Sequence, residues 1–285
     1  MSPHVPPSHP PRSAPRAARA RRSLTAFACA FLALALGLGS AGTAVAAGWG
    51  TGPATLQQIV ASGGAVQASR ENLTSPSTGV SRVHLDRGQM NGYKLRSSID
   101  AREQITLSYQ VRVPRATHDQ GLAKVDLKMP GLAGIPVGKD PWYAPSGGTM
   151  RPDAFSVRLH TRASAHDRIG YPWWDAYVYA PCADGQTQTR WGISASLNGP
   201  DGRRLGIPVD RWFEVRIRVA VNTPGRDDGA LDVWIDGVQG LALRDVQWRA
   251  SGVRTPVNQL MAETFFNSPG SPLDGYVDYR EFRVS

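Results

Sequence analysis

Three short stretches of the 285-residue chain place chemically capable side chains at every second position. In Phe155-Ser156-Val157-Arg158-Leu159-His160 the polar residues Ser156, Arg158 and His160 alternate with apolar ones, and Arg162 continues the series. Tyr177 and Tyr179 alternate with Ala176 and Val178 in a second run, and Arg216 and Arg218 with Val215, Ile217 and Val219 in a third. A period of two marks a strand with one buried face, and side chains at i, i+2 and i+4 then project together. The result is a polar sheet face carrying guanidinium, phenol, hydroxyl and imidazole groups. Any half-solvated sheet has a polar face, but arginine is informative. Its planar fork binds a carboxylate through two parallel bonds, where an ordinary solvated face would take Lys, Glu or Thr as readily. Neighbouring tyrosines add flat apolar surface with a polar tip, useful against a sugar ring and also common in plain sheets.

Lysine is scarce: Lys94, Lys124, Lys128 and Lys139 stand against 28 arginines. Lys128 precedes Met129-Pro130-Gly131-Leu132, which reads as a chain reversal at the mouth of the strand-poor, proline-rich segment 129–153. An amine, unlike a guanidinium, can give up its proton in a protein site, so Lys128 is a candidate base. His160 titrates near neutrality on the same face as Arg158 and is a candidate substrate contact. His84, His118 and His166 are scattered without ligand spacing, and no cysteine or histidine cluster calls for a metal; no cofactor is expected.

The elements that must position these residues are strands. Ile105–Val113, Phe155–His160, 176–179, Phe213–Val219 and Leu231–Ile235 all alternate, and Gly, Pro and Asx residues at 222–229 and 236–237 supply the reversals between them. After the N-terminus no long 3.6-residue apolar period and no internal repeat occurs; only 54–65 suggests a short helix. The pattern predicts an all-β fold, an antiparallel β-sandwich of jelly-roll type, in one domain over residues 48–285.

Residues 1–47 read as a secretory signal. Five arginines at 12–22 precede the apolar stretch Leu24–Leu38 and Ala44-Val45-Ala46, an A-x-A cleavage pattern, and about 15 Ala- and Gly-rich residues are short for a membrane span. The leader takes five of the 32 basic side chains and none of the 23 acidic ones, which lowers the net charge of +9 to a surplus of four. So mild a surplus calls for no nucleic-acid partner and suits an acidic polymer substrate. Cys29 lies in the leader, leaving Cys182 alone, so packing and not a disulfide must hold the secreted domain together, and a monomer is expected.

Five landmarks occur in order: Asp126-Leu127-Lys128-Met129-Pro130-Gly131-Leu132-Ala133-Gly134, Phe155-Ser156-Val157-Arg158-Leu159, Tyr177-Val178-Tyr179, Val221-Asn222-Thr223-Pro224-Gly225 with Asp228-Gly229, and Glu263-Thr264-Phe265-Phe266. Together they resemble polysaccharide lyase family 14, which includes alginate lyases and is related in fold to a glucuronan lyase family. The resemblance covers residues 100–285. It implies a concanavalin A-like jelly roll whose concave sheet is the substrate cleft, and it ties Lys128, Ser156, Arg158, Tyr177 and Tyr179 to catalysis or substrate binding. The chain departs from the pattern at Val125 and Asp126 (usually glycines), at Thr161 (usually Trp) and at Asn267-Ser268 (usually two glycines), changes that bear on substrate choice more than on reaction type.

The implied reaction is β-elimination on an acidic, uronate-containing polysaccharide such as alginate or glucuronan. A group must neutralise the sugar carboxylate, a base must remove the C5 proton, and an acid must protonate the departing O4. Arg158 would serve first, with His160 and Arg216 as further substrate contacts and Ser156 as an orienting hydroxyl. Lys128 and one of Tyr177 and Tyr179 would divide the other two roles in either order. The competing readings are a uronate-binding lectin without chemistry and a glycoside hydrolase, for which the paired carboxylates on one strand are lacking.

Overall fold

The computed structural model describes residues 52–285 except 68–71, 91, 167–168, 184–185 and 188–191; the expected leader, 1–47, lies outside the described residues. Alternating apolar positions zip the strands into two antiparallel seven-stranded sheets. The first sheet runs, in spatial order, β1 (Ala65–Val66), β4 (Tyr93–Arg102), β15 (Val257–Phe266), β6 (Leu127–Gly134), β7 (Phe155–Arg162), β8 (Trp173–Tyr179) and β11 (Ile193–Ser196). The second runs β14 (Val238–Val246), β13 (Gly229–Ile235), β12 (Trp212–Ala220), β5 (Gln104–Arg112), β16 (Gly275–Val284), β3 (Ser81–Leu85) and β2 (Leu73–Thr74). A small hairpin pairs β9 (Cys182–Ala183) with β10 (Gln186–Thr187). Sequential strands β4, β5 and β6 alternate between the sheets, as do β15 and β16, which is jelly-roll connectivity. The expected short helix is α1 (Leu56–Ala61), started by a capping box between Thr55 and Gln58. No helix among the described residues is long and apolar enough to cross a membrane.

The main core lies between the sheets, where Leu132, Val157, Leu159 and Val178 of the first meet Leu107, Val111, Val215 and Ile217 of the second. The second sheet keeps a partly solvated outer face: along β5 and β12 buried residues alternate with partly exposed or exposed ones. The first sheet does not. All eight residues of β6 and seven of eight in β7 are buried, so its outer face, expected to be half-solvated, is covered. The cover is segment 141–148. Gln259 and Arg96 donate to the Pro141 carbonyl at 2.9 and 3.3 Å, and Ser156 Oγ donates to the Pro145 carbonyl at 2.7 Å.

The reversal expected at Met129–Leu132 does not form. Those residues continue β6 through a bulge between Lys128 and Gly131, and Met129 and Pro130 have no register partner on either neighbouring strand. A bulge is where a sheet interior tolerates a proline, which has no amide proton to give. Gly131 is required there: a Cβ on it would lie 2.0 Å from the Val157 carbonyl oxygen and 2.6 Å from Arg158 Cα.

Candidate active site

Register across the first sheet brings the chemistry together. Lys128 of β6 stands opposite His160 of β7, and Gly131 opposite Arg158; Arg158 in turn faces Tyr177 of β8, and Ser156 faces Tyr179. On the other side of β6, Lys128 faces Phe265 of β15, and Glu263 faces Lys94 of β4. A cavity of about 710 Å³ opens over this row, lined among others by Lys94, Arg96, Lys128, Arg158, Tyr177 and Glu263.

Lys128 is 5% exposed, and its Nζ sits 3.5 Å from the centroid of the Tyr177 ring. No carboxylate lies within 4.0 Å of it among the described residues. Burial pushes its amine well below the ordinary lysine value, and the neighbouring Arg158 charge pushes the same way, against the weaker pull of Asp126 and Glu263. The ring face favours the charged form, but such attraction amounts to about 2 kcal/mol when desolvated, and loss of water together with Arg158 outweighs it.

Tyr177 behaves oppositely. Burial and the neighbouring Tyr179 raise its phenol to about 12, so it keeps its proton at any physiological pH. Its oxygen accepts from the Gly192 amide at 3.2 Å and lies 3.5 Å from the Tyr179 oxygen, which accepts from the Gly148 amide at 3.0 Å. Those amides take acceptor positions on both oxygens, and one of the two hydroxyls donates to the other.

Arg158 is 2% exposed and pairs through Nη1 with Glu263, while its buried Nε has no protein partner. Glu263 also accepts from Arg96 at 2.8 Å. Burial would raise the Glu263 carboxyl, but Arg158 and Arg96 outweigh it and hold the group below the ordinary carboxylate range. Among the described residues that line the cavity, Glu263 is the only carboxylate. Flanked by two buried guanidiniums, it is not free to protonate a leaving group, and a hydrolase would need a second carboxylate opposite it.

The remaining expected residues are placed as follows. Ser156 is fully buried, and its hydroxyl ties down the covering segment through Pro145; it does not line the cavity. His160 is also buried, with Nε2 3.3 Å from Asp126 Oδ2. Burial, then the Lys128 charge, drives its imidazole down to about 3, so it is neutral at physiological pH. Asp126 is held at about 2 despite burial by His160, the Ala163 amide at 2.8 Å and Arg162 at 3.2 Å. Arg216 is not part of this group. It sits on β12 in the second sheet, whose inward positions Val215 and Ile217 belong to the core, so it projects from the opposite side of the sandwich.

Lys94, Arg96 and Glu263 complete the cleft without having been assigned roles from sequence. A signal existed for the first two: Tyr93-Lys94-Leu95-Arg96 alternates as the other strands do, with Tyr93 and Leu95 in the core. Lys94 Nζ lies 4.4 Å from the Phe265 ring centroid, and burial lowers its amine too.

A family profile described as polysaccharide lyase 14 matches residues 72–282. The chain belongs to that family. It is a polysaccharide lyase, an enzyme that cleaves by elimination. The alginate lyase from Aplysia kurodai superposes with a TM-score of 0.64 at 19% identity, covering 81% of this chain and 94% of its own. Alginate lyase Aly36B gives 0.62 at 17% identity, covering 83% and 92%. Alginate lyase vAL-1 from Chlorella virus gives 0.58 at 19% identity, covering 78% and 88%. At such identities the likeness speaks for the fold; no curated protein sequence matches.

Proposed function

We propose that this lyase is secreted behind the 1–47 leader and cleaves a uronate-containing polysaccharide by β-elimination, with Lys128 as base and Tyr177 as acid. One observation carries the assignment: in a single cleft, burial moves an amine and a phenol in opposite directions from nearly equal starting values. The amine is made easy to deprotonate and the phenol hard. That ordering favours lysine as base and tyrosine as acid, where residue types alone leave both assignments open.

In the reaction, Arg158 meets the sugar carboxylate with the N–H donors that Glu263 does not take, so that charge developing as the C5–H bond weakens falls beside a guanidinium. The neutral Lys128 amine takes the C5 proton. The electron pair forms the C4–C5 double bond, the C4–O4 bond breaks, and O4 receives the Tyr177 proton. Transfer of the proton on Lys128 to the Tyr177 oxygen, directly or through solvent, restores both groups. The cleft lining supports an anionic substrate even with Lys128 neutral, since Lys94, Arg96 and Arg158 stand against Glu263. Alginate is a reasonable first substrate, since mutants of Aly36B, a protein of similar fold, have been solved in complex with an alginate trisaccharide and an alginate tetrasaccharide.

Product analysis tests the reading. The domain from residue 48 onward, incubated with alginate, glucuronan and a neutral glucan, should release fragments with unsaturated, ultraviolet-absorbing ends from a uronate polymer only. Saturated reducing ends, or binding with no products, would overturn it.

A further inference from the structure

The outer face of the second sheet carries an arginine array remote from the cleft. Its arginines are mostly paired: Arg82 and Arg112 with Asp278 at 2.8 and 2.6 Å, Arg218 and Arg244 with Asp232 at 2.6 and 2.9 Å. Arg280 donates to the Gln110 side chain at 2.8 Å and lies 4.4 Å from the Trp212 ring centroid. Arg216 is different. Its guanidinium stacks on Trp234 at 4.6 Å, its Nε is buried without a partner, and no carboxylate lies within 4.0 Å among the described residues. Beside it is a depression of about 440 Å³ lined by Thr106, Ser108, Arg216, Arg218, Trp234, Glu214 and Ser285.

A guanidinium stacked on a ring is held in one plane, so its unused N–H edge is pre-organised to receive a planar anion. Hydroxyls at Thr106 and Ser108, on the strand paired with Arg216 and Arg218, add neutral hydrogen-bonding groups of the kind that sugar hydroxyls match. Seven arginines, Arg283 among them, against Asp232, Asp278, Glu214, Glu281 and the terminal carboxylate of Ser285 leave this face positive, and Glu214, though in the depression, is beyond 4.0 Å of either lining guanidinium. Phosphate polymers prefer arrays of free cations; here five of seven arginines are already committed to carboxylates.

We propose that this depression is a second, non-catalytic binding site for an acidic polysaccharide, with Arg216 clamping a uronate carboxylate. It lies on the opposite side of the core from the catalytic cleft, so a polymer chain held there would keep the enzyme on its substrate between cleavage events. The ligand class rests on the uronate reading above; the site itself does not depend on turnover.

Equilibrium dialysis with uronate trisaccharides from alginate and glucuronan, using the uncleaving Lys128→Ala domain, counts sites directly. Two trisaccharides should bind per chain, and one when Arg216→Gln is added, with the thermal midpoint changed little because Arg216 is half-buried and joins no ion pair among the described residues. Arg216→Lys, which keeps charge but not the fork, should weaken the second site severalfold. A single site in both proteins, two sites in both, or displacement from the second site by an oligonucleotide but not by polyuronate would overturn the proposal. The two readings separate cleanly. A wild-type enzyme that produces unsaturated ends while binding one trisaccharide refutes only the second site, and Arg216-dependent binding without product refutes only the lyase substrate assignment.

Discussion

Lys128 Nζ lies 3.5 Å from the centroid of the Tyr177 ring, on neighbouring edges of the same cleft. In the proposed reaction this contact sets the proton acceptor against the ring of the proton donor. Because Lys128 is pushed down and Tyr177 up to about 12, their working forms, neutral amine and neutral phenol, coexist over a wide pH range.

The rate should follow that window. As pH rises, kcat/KM should increase as Lys128 loses its proton, with a limb well below the ordinary lysine value of about 10.4. The decline should come only as pH approaches the Tyr177 value. A pH profile on a polyuronate checks both limbs; an ascending limb at the free-lysine value would contradict the role given to Lys128.

Substitutions at the ion-pair partners should move the ascending limb in opposite directions. Arg158 lowers the Lys128 value and Glu263 raises it. Arg158→Gln should therefore shift the limb to higher pH, and Glu263→Gln to lower pH. A purely structural effect of either substitution would depress the rate without these opposed shifts.

Glu263→Gln should also cost stability, about 3–5 kcal/mol, because it strands Arg96 and Arg158 as buried cations with no counter-charge. Chemical denaturation would measure this. A loss of under about 1 kcal/mol would mean the two guanidiniums find other partners.

Tyr177→Phe keeps the ring beneath Lys128 and removes only the proton donor, so kcat should fall by about 10²–10⁴ with little change in fold. Tyr179→Phe removes the acceptor for Gly148 and should loosen the covering segment, acting mainly on KM. Steady-state kinetics on one substrate separates the two.

Gly131→Ala should destabilise the domain by at least about 1–3 kcal/mol, because the added methyl meets the Val157 carbonyl at 2.0 Å. Thermal unfolding checks this. An unchanged midpoint would mean that β6 and β7 can separate without loss.

Much of the site was legible because a strand's period of two reports which side chains share a face. Ser156, Arg158 and His160 turn away from Phe155, Val157 and Leu159 as their spacing requires. What alternation cannot report is which sheet a strand joins. Arg216 alternates as cleanly as Arg158, yet β12 lies in the other sheet, and its polar side faces away from the cleft. The bulge at Lys128–Gly131 was hidden for a similar reason: Pro and Gly side by side signal a turn, and only pairing with strands on both sides turns that signal into a kink within a strand. Glu263 was visible as a residue but not as a partner, since its role depends on Arg96, 167 positions away.

The most direct measurement is single-turnover cleavage of a polyuronate by the wild-type and Lys128→Ala domains, followed by ultraviolet absorbance of the new double bond. Rapid formation by the wild type and a fall of at least about 10²-fold in the variant are expected, with oligosaccharide binding still present. Equal rates from the two proteins would contradict the assignment of Lys128 as base.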